Sequence, residues 1–153
     1  MRLRTTGSEQ HRADDGSASL EFLTAGLILL VPVVYLIVSL GIVQSHTFAA
    51  QAAARHVARA IATASDVAQA DARADDITQA IAAEYGMATD DLALAVSCDG
   101  AGPCPRPGET FRVTAETEAT LPLVPPVLGL DRLARVPIEA SAVHRMPRLW
   151  GPP

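Results

Sequence analysis

The chain has 153 residues, enough for one modest domain, and a net charge of -5 from 12 basic and 17 acidic residues. Every basic residue other than histidine is arginine. The acidic balance argues against the basic stripe that a nucleic-acid-binding surface needs, so no nucleic-acid partner is expected.

Residues 1–16 are polar, mixed in charge and without hydrophobic periodicity, which reads as a disordered polar leader. From Phe22 to Ala54 there is no Asp, Glu, Lys or Arg, and Leu23 to Val43 is an almost unbroken apolar run of 21 residues. As a helix that run is about 31 Å long, close to the hydrocarbon thickness of a bilayer. The rest of the chain is too small to wrap such a segment on all sides, which disfavours a buried core helix. A small-residue stretch, Ala49 to Ala54, follows the run as it would follow a secretory signal, but the run exceeds the roughly 7–15-residue core of such a signal. A retained single-pass anchor over about residues 22–43 is therefore expected. Arg2, Arg4 and Arg12 precede it against Arg55 and Arg59 after it, a slight excess that places the N-terminus in the cytoplasm and the remainder outside.

Beyond the span, "HTFAAQAAARHVARAIATAS" contains helix formers and neither Gly nor Pro. Gln51, Arg55, Arg59 and Thr63 recur at steps of four, leaving Ala53, Val57, Ala60, Ile61 and Ala64 on the other side. One helix is expected over residues 17–64, with its first half in lipid, its amphipathic second half outside, and a possible kink at Pro32. A second, shorter helix is expected from about Asp71 to Tyr85, with Ile77, Ile81 and Tyr85 on one face and Gly86 as its C-terminal cap.

The period then changes to two. Leu92, Leu94, Val96 and Cys98 alternate with small residues, and Phe111, Val113 and Ala115 alternate with Arg112, Thr114 and Glu116. The Gly- and Pro-rich "CDGAGPCPRPGE" between them is a hairpin connection. A third strand, Val136 to His144, follows the apolar connection "LPLVPPVLGLDRL", which is expected to pack onto the sheet, and "MPRLWGPP" reads as a frayed, Pro-rich tail over residues 146–153. The fold class is thus α+β: a long N-terminal transmembrane helix, a short helix and a small antiparallel sheet of about three strands, with residues 65–145 forming a small extracytoplasmic domain. Fewer than 90 residues follow Asp66, so the core of that domain is marginal.

Cys98 and Cys104 would close a short loop at the hairpin on the oxidising side of the membrane, contributing about 2 kcal/mol in the chain-entropy model. A metal pair is the weaker reading, because no second Cys pair or His cluster stands at ligand spacing and His46, His56 and His144 are scattered. There is no G-x-S-x-G, C-x-x-C, H-E-x-x-H or phosphate-cradling glycine loop. Neither catalytic residues nor cofactors are expected, and the chain reads as a non-enzyme.

Glu21 lies at the edge of the hydrocarbon, where a carboxylate is costly unless paired. Two readings stand. In one, Glu21 occupies the first turn of a helix capped by Asp15 or Ser17 and interacts with the helix dipole at headgroup level. In the other, Gly16 precedes a cut, Ser17 becomes a free amine at the membrane surface, and Glu21 of a neighbouring helix pairs with it.

The order Gly16, four residues, Glu21 and a hydrophobic span resembles the type IV pilin superfamily, whose prepilin peptidase cuts after such a glycine. More narrowly, "GSASLEFLTAGLILLVPVVYLIVSLGIVQSHTFAAQAAARHVARAIA" resembles the TadE-like family of minor pseudopilins from tight-adherence (Flp) pilus assembly systems. The resemblance covers residues 16 to about 62, with the Cys pair, "PLVPPVLGL" and "IEASAVHR" following the family's general layout. It implies that Gly16 precedes the cleaved bond, that Ser17 is the new N-terminus and that Glu21 is the helix-packing carboxylate. It also implies the membrane, other pilins or pseudopilins, the pilus assembly machinery and the prepilin peptidase as partners. Phe22 stands where Flp major pilins carry Tyr, and a sizeable folded region follows the helix; both departures point to a minor component. Two rivals remain: a membrane-anchored extracytoplasmic binding module without a pilus role, meeting its partner through "PLVPPVLGL" or Trp150, and a secreted enzyme or inhibitor released by signal peptidase near Ala54.

Overall fold

A computed structural model of the chain describes residues 11–100, 104–124, 129 and 133–150, with side chains from Ala18 onward. Its elements are α1 (His11–Thr63), α2 (Val67–Tyr85), a 3-10 turn (Thr89–Asp91), β1 (Leu92–Cys98), β2 (Thr110–Thr120) and β3 (Arg135–Arg145). The expected α+β class is observed, with all three strands. The chain divides into two compact units, residues 1–39 and residues 40–153.

The N-terminal unit is the first part of α1. The helix begins at His11, so residues 11–16, expected in an unstructured leader, are helical, while residues 1–10 lie outside the described residues. From Ala18 to Val38 every side chain is exposed except half-buried Tyr35. Large apolar groups such as Phe22 (79% exposed) and Leu29 (72%) point outward all round the helix. A helix apolar on every side has no stable place in water, and this one, with a mean hydropathy of 2.7 in its most apolar window, is long and apolar enough to cross a membrane. Pro32 lies inside it with helix on both sides. The Thr24 hydroxyl donates to the Leu20 carbonyl at 2.8 Å, which satisfies the one hydroxyl near the start of the run without an external partner.

In the C-terminal unit the rest of α1 and α2 cover one face of the sheet. Helix α1 ends at Thr63, whose hydroxyl donates back to the Arg59 carbonyl at 3.0 Å. Asp66 then caps α2 by accepting from the Gln69 N–H at 2.8 Å, while the Gln69 side chain accepts from the Ser65 N–H at 3.0 Å. This cap starts α2 at Val67, four residues before the expected Asp71. Gly86 ends it in the left-handed conformation, φ 69°, and the Met87 N–H closes onto the Ala82 carbonyl at 2.9 Å, as the glycine predicted.

The sheet order is β1-β2-β3, antiparallel throughout, with Leu94 opposite Ala115 and Val113 opposite Ala142. Along β2, Phe111, Val113, Ala115, Thr117 and Ala119 are buried and their neighbours face outward, the period-two pattern of a strand with one covered face. Two core clusters lie beneath that face. Val57, Ala58 and Ile61 of α1 meet Phe111, Val113 and Met146, and Ala49, Ala50 and Ala53 meet Ile81, Leu92 and Ala115. Most of these α1 positions are alanine, so few large side chains fill the space between helix and sheet.

The clusters fix directions within this unit. Phe111 sits with Val57 and Ile61, whereas Thr117 reaches His46, whose Nδ1 lies 3.2 Å from the threonine Oγ1. Strand β2 therefore runs antiparallel to α1. The connection from α2 to β1 and the connection from β2 to β3 both fall at the His46 end, and the β1–β2 hairpin falls at the Ile61 end.

Two sequence expectations need correction here. The tail is not frayed over residues 146–150: Met146 is 2% exposed and belongs to the core, and its N–H donates to the Glu109 carbonyl at 2.8 Å. Trp150, half-buried, packs on the same cluster. The cause is register: β3 ends with Arg145 opposite Thr110, so the chain leaves the sheet beside Phe111, where a flexible methionine fills the space above Val57. The β2–β3 connection, expected to pack onto the sheet, instead leaves Leu123 89% and Leu133 82% exposed; residues 125–128 and 130–132 of it lie outside the described residues.

Candidate functional site

Glu21 stands on the exposed surface of α1, beside Leu20, Thr24, Ala25 and Ile28. Among the described residues it forms no ion pair; the ion pairs there are Arg106–Glu109 at 3.0 Å and Arg135–Glu118 at 3.5 Å. Because α1 begins at His11, Glu21 lies nearly three turns inside the helix, and Asp15 and Ser17 are helical rather than capping. The helix dipole acts within the first turn, so in the intact chain it does not account for Glu21, and that reading is set aside. Gly16 and Ser17 are part of the α1 backbone, five and four positions before Glu21; the side chain of Ser17 lies outside the described residues. What the arrangement offers chemically is a carboxyl group exposed among apolar side chains, the only Asp, Glu, Lys or Arg between Gly16 and Ala54.

Cys98 and Cys104 are joined in a disulfide across Cα atoms 5.9 Å apart, as expected from the hairpin. The bond sits at the far end of β1, where the connection is held by further links that the sequence did not announce. Arg106 Nε donates to Glu109 Oε2 at 3.0 Å, the Gly108 N–H donates to the Pro147 carbonyl at 3.3 Å, and Arg145 Nε donates to the Gly108 carbonyl at 3.1 Å. Gly108 adopts φ 76°, which a side chain would resist, and this lets the hairpin turn back toward β3 and the tail. The disulfide is thus one of several ties locking this end of the unit, a structural role.

The open face of the sheet carries a second polar feature. Glu116 and Glu139 are direct cross-strand partners, and with Asp90, Asp91 and Glu118 they line a shallow groove of about 600 Å³. Like charges placed directly opposite are mildly destabilising, so this pair does not stabilise the sheet. Alternation in β2 and β3 already placed these carboxylates outward; only the register, which the sequence does not print, made Glu116 and Glu139 neighbours.

The histidines are dispersed. His46 meets Thr117, His56 is exposed on α1, and His144 stacks 6.2 Å from Phe111 while its Nδ1 accepts from the Arg145 N–H at 2.9 Å. Among the described residues no group of three or more His, Cys, Asp or Glu is placed to hold a metal ion. The Asp66 carboxyl is held below its ordinary value, first by the Gln69 N–H that it caps and then by the Ser65 hydroxyl. Comparisons of this chain with protein-family models, with curated proteins and with solved structures return no match.

Proposed function

We propose that the chain is a TadE-like minor pseudopilin: a single-pass membrane protein that assists assembly or secretion of a Flp-type pilus by packing its N-terminal helix against those of other pilins or pseudopilins. The observation that carries this reading is Glu21, five positions after Gly16 and the only Asp, Glu, Lys or Arg between Gly16 and Ala54, on a stretch of helix exposed from Ala18 to Val34. Such a helix is built to be surrounded, and a carboxylate in lipid requires a cationic or hydrogen-bonding partner. In this reading the prepilin peptidase cuts after Gly16, and the new amine of Ser17 on one subunit neutralises Glu21 on the next.

The N-terminus lies in the cytoplasm and the unit bearing the Cys98–Cys104 disulfide lies outside, where the bond is stable against cytosolic reductants. The chain acts through packing and carries out no reaction of its own, and with its net charge of -5 it has no nucleic-acid partner. The experiment is Glu21→Ala. It should impair pilus assembly while leaving membrane insertion intact, because removing a carboxylate makes the segment more apolar. Normal piliation in that variant would remove Glu21 from the mechanism.

A further inference from the structure

The helices of the C-terminal unit cover one face of the sheet and leave the other open. An antiparallel sheet can keep one face in water, so openness alone asks for nothing; the order of the charges on that face does. Arg112 lies at one level of β2, Thr114, flanked by Ala95 and Ser141, at the next level on the same face, and Glu116, directly opposite Glu139, at the one after. Among the described residues Arg112 meets no carboxylate, its Nη1 donating instead to the Ser141 hydroxyl at 3.1 Å. Glu116 and Glu139 form no ion pair there either. Arg112 and Glu116 stand about 13 Å apart along the strand, with the small middle level between them.

Arg112 and Glu116 are equally far from Thr114, one on each side of it. A two-fold axis running across the strands at that level turns one open face onto another, keeps β2 over β2, and sets Arg112 of each copy over Glu116 of the other, twice in one contact. An axis along the strands would set Arg112 over Arg112 and Glu116 over Glu116, so charge selects the first arrangement. Sheets packed face to face lie about 10 Å apart, an approach that alanine, threonine and serine at the middle level permit. The guanidinium of one copy then enters the groove that Glu116 and Glu139 line with Asp90 and Asp91 on the other. The exposed helix faces have no such self-complementarity: α1 presents only Arg55 and Arg59 in this unit, and α2 carries Asp71, Asp75, Asp76 and Glu84 against Arg73 alone.

We propose that the open face of the sheet is a contact between two copies of this chain, closed by reciprocal Arg112–Glu116 pairs about a two-fold axis at Thr114. The contact lies wholly within the C-terminal unit and is independent of Glu21. Strands of 7, 11 and 11 residues, about 4.8 Å apart, offer roughly 450 Å² of sheet per copy, against about 800 Å² per partner in a stable interface. The pairing is therefore weak and reversible, selected by charge rather than by apolar burial, and it weakens as salt screens exposed charges. The Glu116–Glu139 juxtaposition, unfavourable within one sheet, becomes in the pair a seat for an arginine.

The test uses the full-length protein in a neutral detergent with a short bis-maleimide crosslinker, which traps a weak contact irreversibly. Ala95→Cys places a thiol at an exposed position level with Thr114, where it faces its own counterpart, while both native cysteines stay in their disulfide. A crosslinked dimer should form. Arg112→Glu or Glu116→Arg, each at an exposed position and each added to Ala95→Cys, should slow its formation several-fold, as should raised salt. Mixing the two variants should restore it, because each copy then meets opposite charge at both contacts, and so should the two changes combined in one chain. Recovery on mixing also shows that each variant is folded. Crosslinking that ignores the single changes would overturn the proposal in favour of association through α1. Loss without recovery on mixing would overturn the facing of Arg112 and Glu116. No dimer from Ala95→Cys itself would overturn the contact between copies and leave the face to another partner.

Discussion

Replacing Met146 by alanine separates a docked C-terminal segment from a frayed one. Met146 is 2% exposed and packs with Val57, Phe111 and Val113, and Trp150 lies against the same cluster. The substitution removes three heavy atoms from the core, about 2.4 kcal/mol of transfer free energy at roughly 0.8 kcal/mol per methylene-sized group. The cavity adds to this, but the site lies beside the last pair of the sheet and collapses partly, so a loss of about 2–3 kcal/mol is expected, near the low end for Met→Ala. The backbone bond from the Met146 N–H to the Glu109 carbonyl survives the change. For a unit of this size the loss corresponds to a fall in Tm of roughly 10–20 °C. The assay is denaturant and thermal unfolding of the full-length protein in detergent, followed by Trp150 fluorescence, which reports on this cluster and not on the detergent-embedded part of α1. A loss under about 0.5 kcal/mol, the size typical of surface substitutions, would refute the packing assigned to the tail.

Two further outcomes follow from the ends of the elements. Cys98→Ser with Cys104→Ser should lower the stability of the C-terminal unit by about 2 kcal/mol in the same unfolding assay, the loop-closure value for the six-residue separation, while the unit stays folded through its other hairpin ties. Asp66 is lowered from 3.8 by the bonds that cap α2, so its contribution is fully present above 3.8 and is lost as pH falls through the lower folded value. Asp66→Asn keeps a capping oxygen without titrating, and far-ultraviolet circular dichroism below pH 3.8 should show a smaller acid-dependent loss of helix in the variant than in the parent.

Much of the fold was legible because its elements announce their periods. The helix long and apolar enough to cross a membrane needed only length and apolarity to be seen. The outer half of α1 showed a four-residue recurrence, and of the positions it left over Ala53, Val57, Ile61 and Ala64 are buried and Ala60 is half-buried. Gly86 and the alternation in β2 were equally direct. Boundaries were less so. The start of α2 lay in the Asp66 to Gln69 spacing, a cap signature readable in principle but hidden among alanines that favour helix anywhere. The start of α1 moved to His11 because helix continues through residues whose polarity had argued for none.

What the sequence could not supply was register and long-range placement. Nothing local distinguishes Met146 in "MPRLWGPP" from a tail residue; its burial follows from where β3 ends relative to Phe111. Of the candidate site, the disulfide was legible from the spacing of Cys98 and Cys104 across a hairpin. Glu21 was conspicuous by its position, but its partner lies on another chain in the proposed mechanism, which no single-chain pattern encodes.

The central claim is tested most directly by the N-terminal sequence of the mature protein recovered from membranes, with and without the prepilin peptidase of the host. The proposed function predicts a start at Ser17 that is lost when the peptidase is removed, which supplies the amine that Glu21 requires. A start at Met1 in both backgrounds would contradict it, leaving an unprocessed membrane anchor and no partner for Glu21 of the proposed kind.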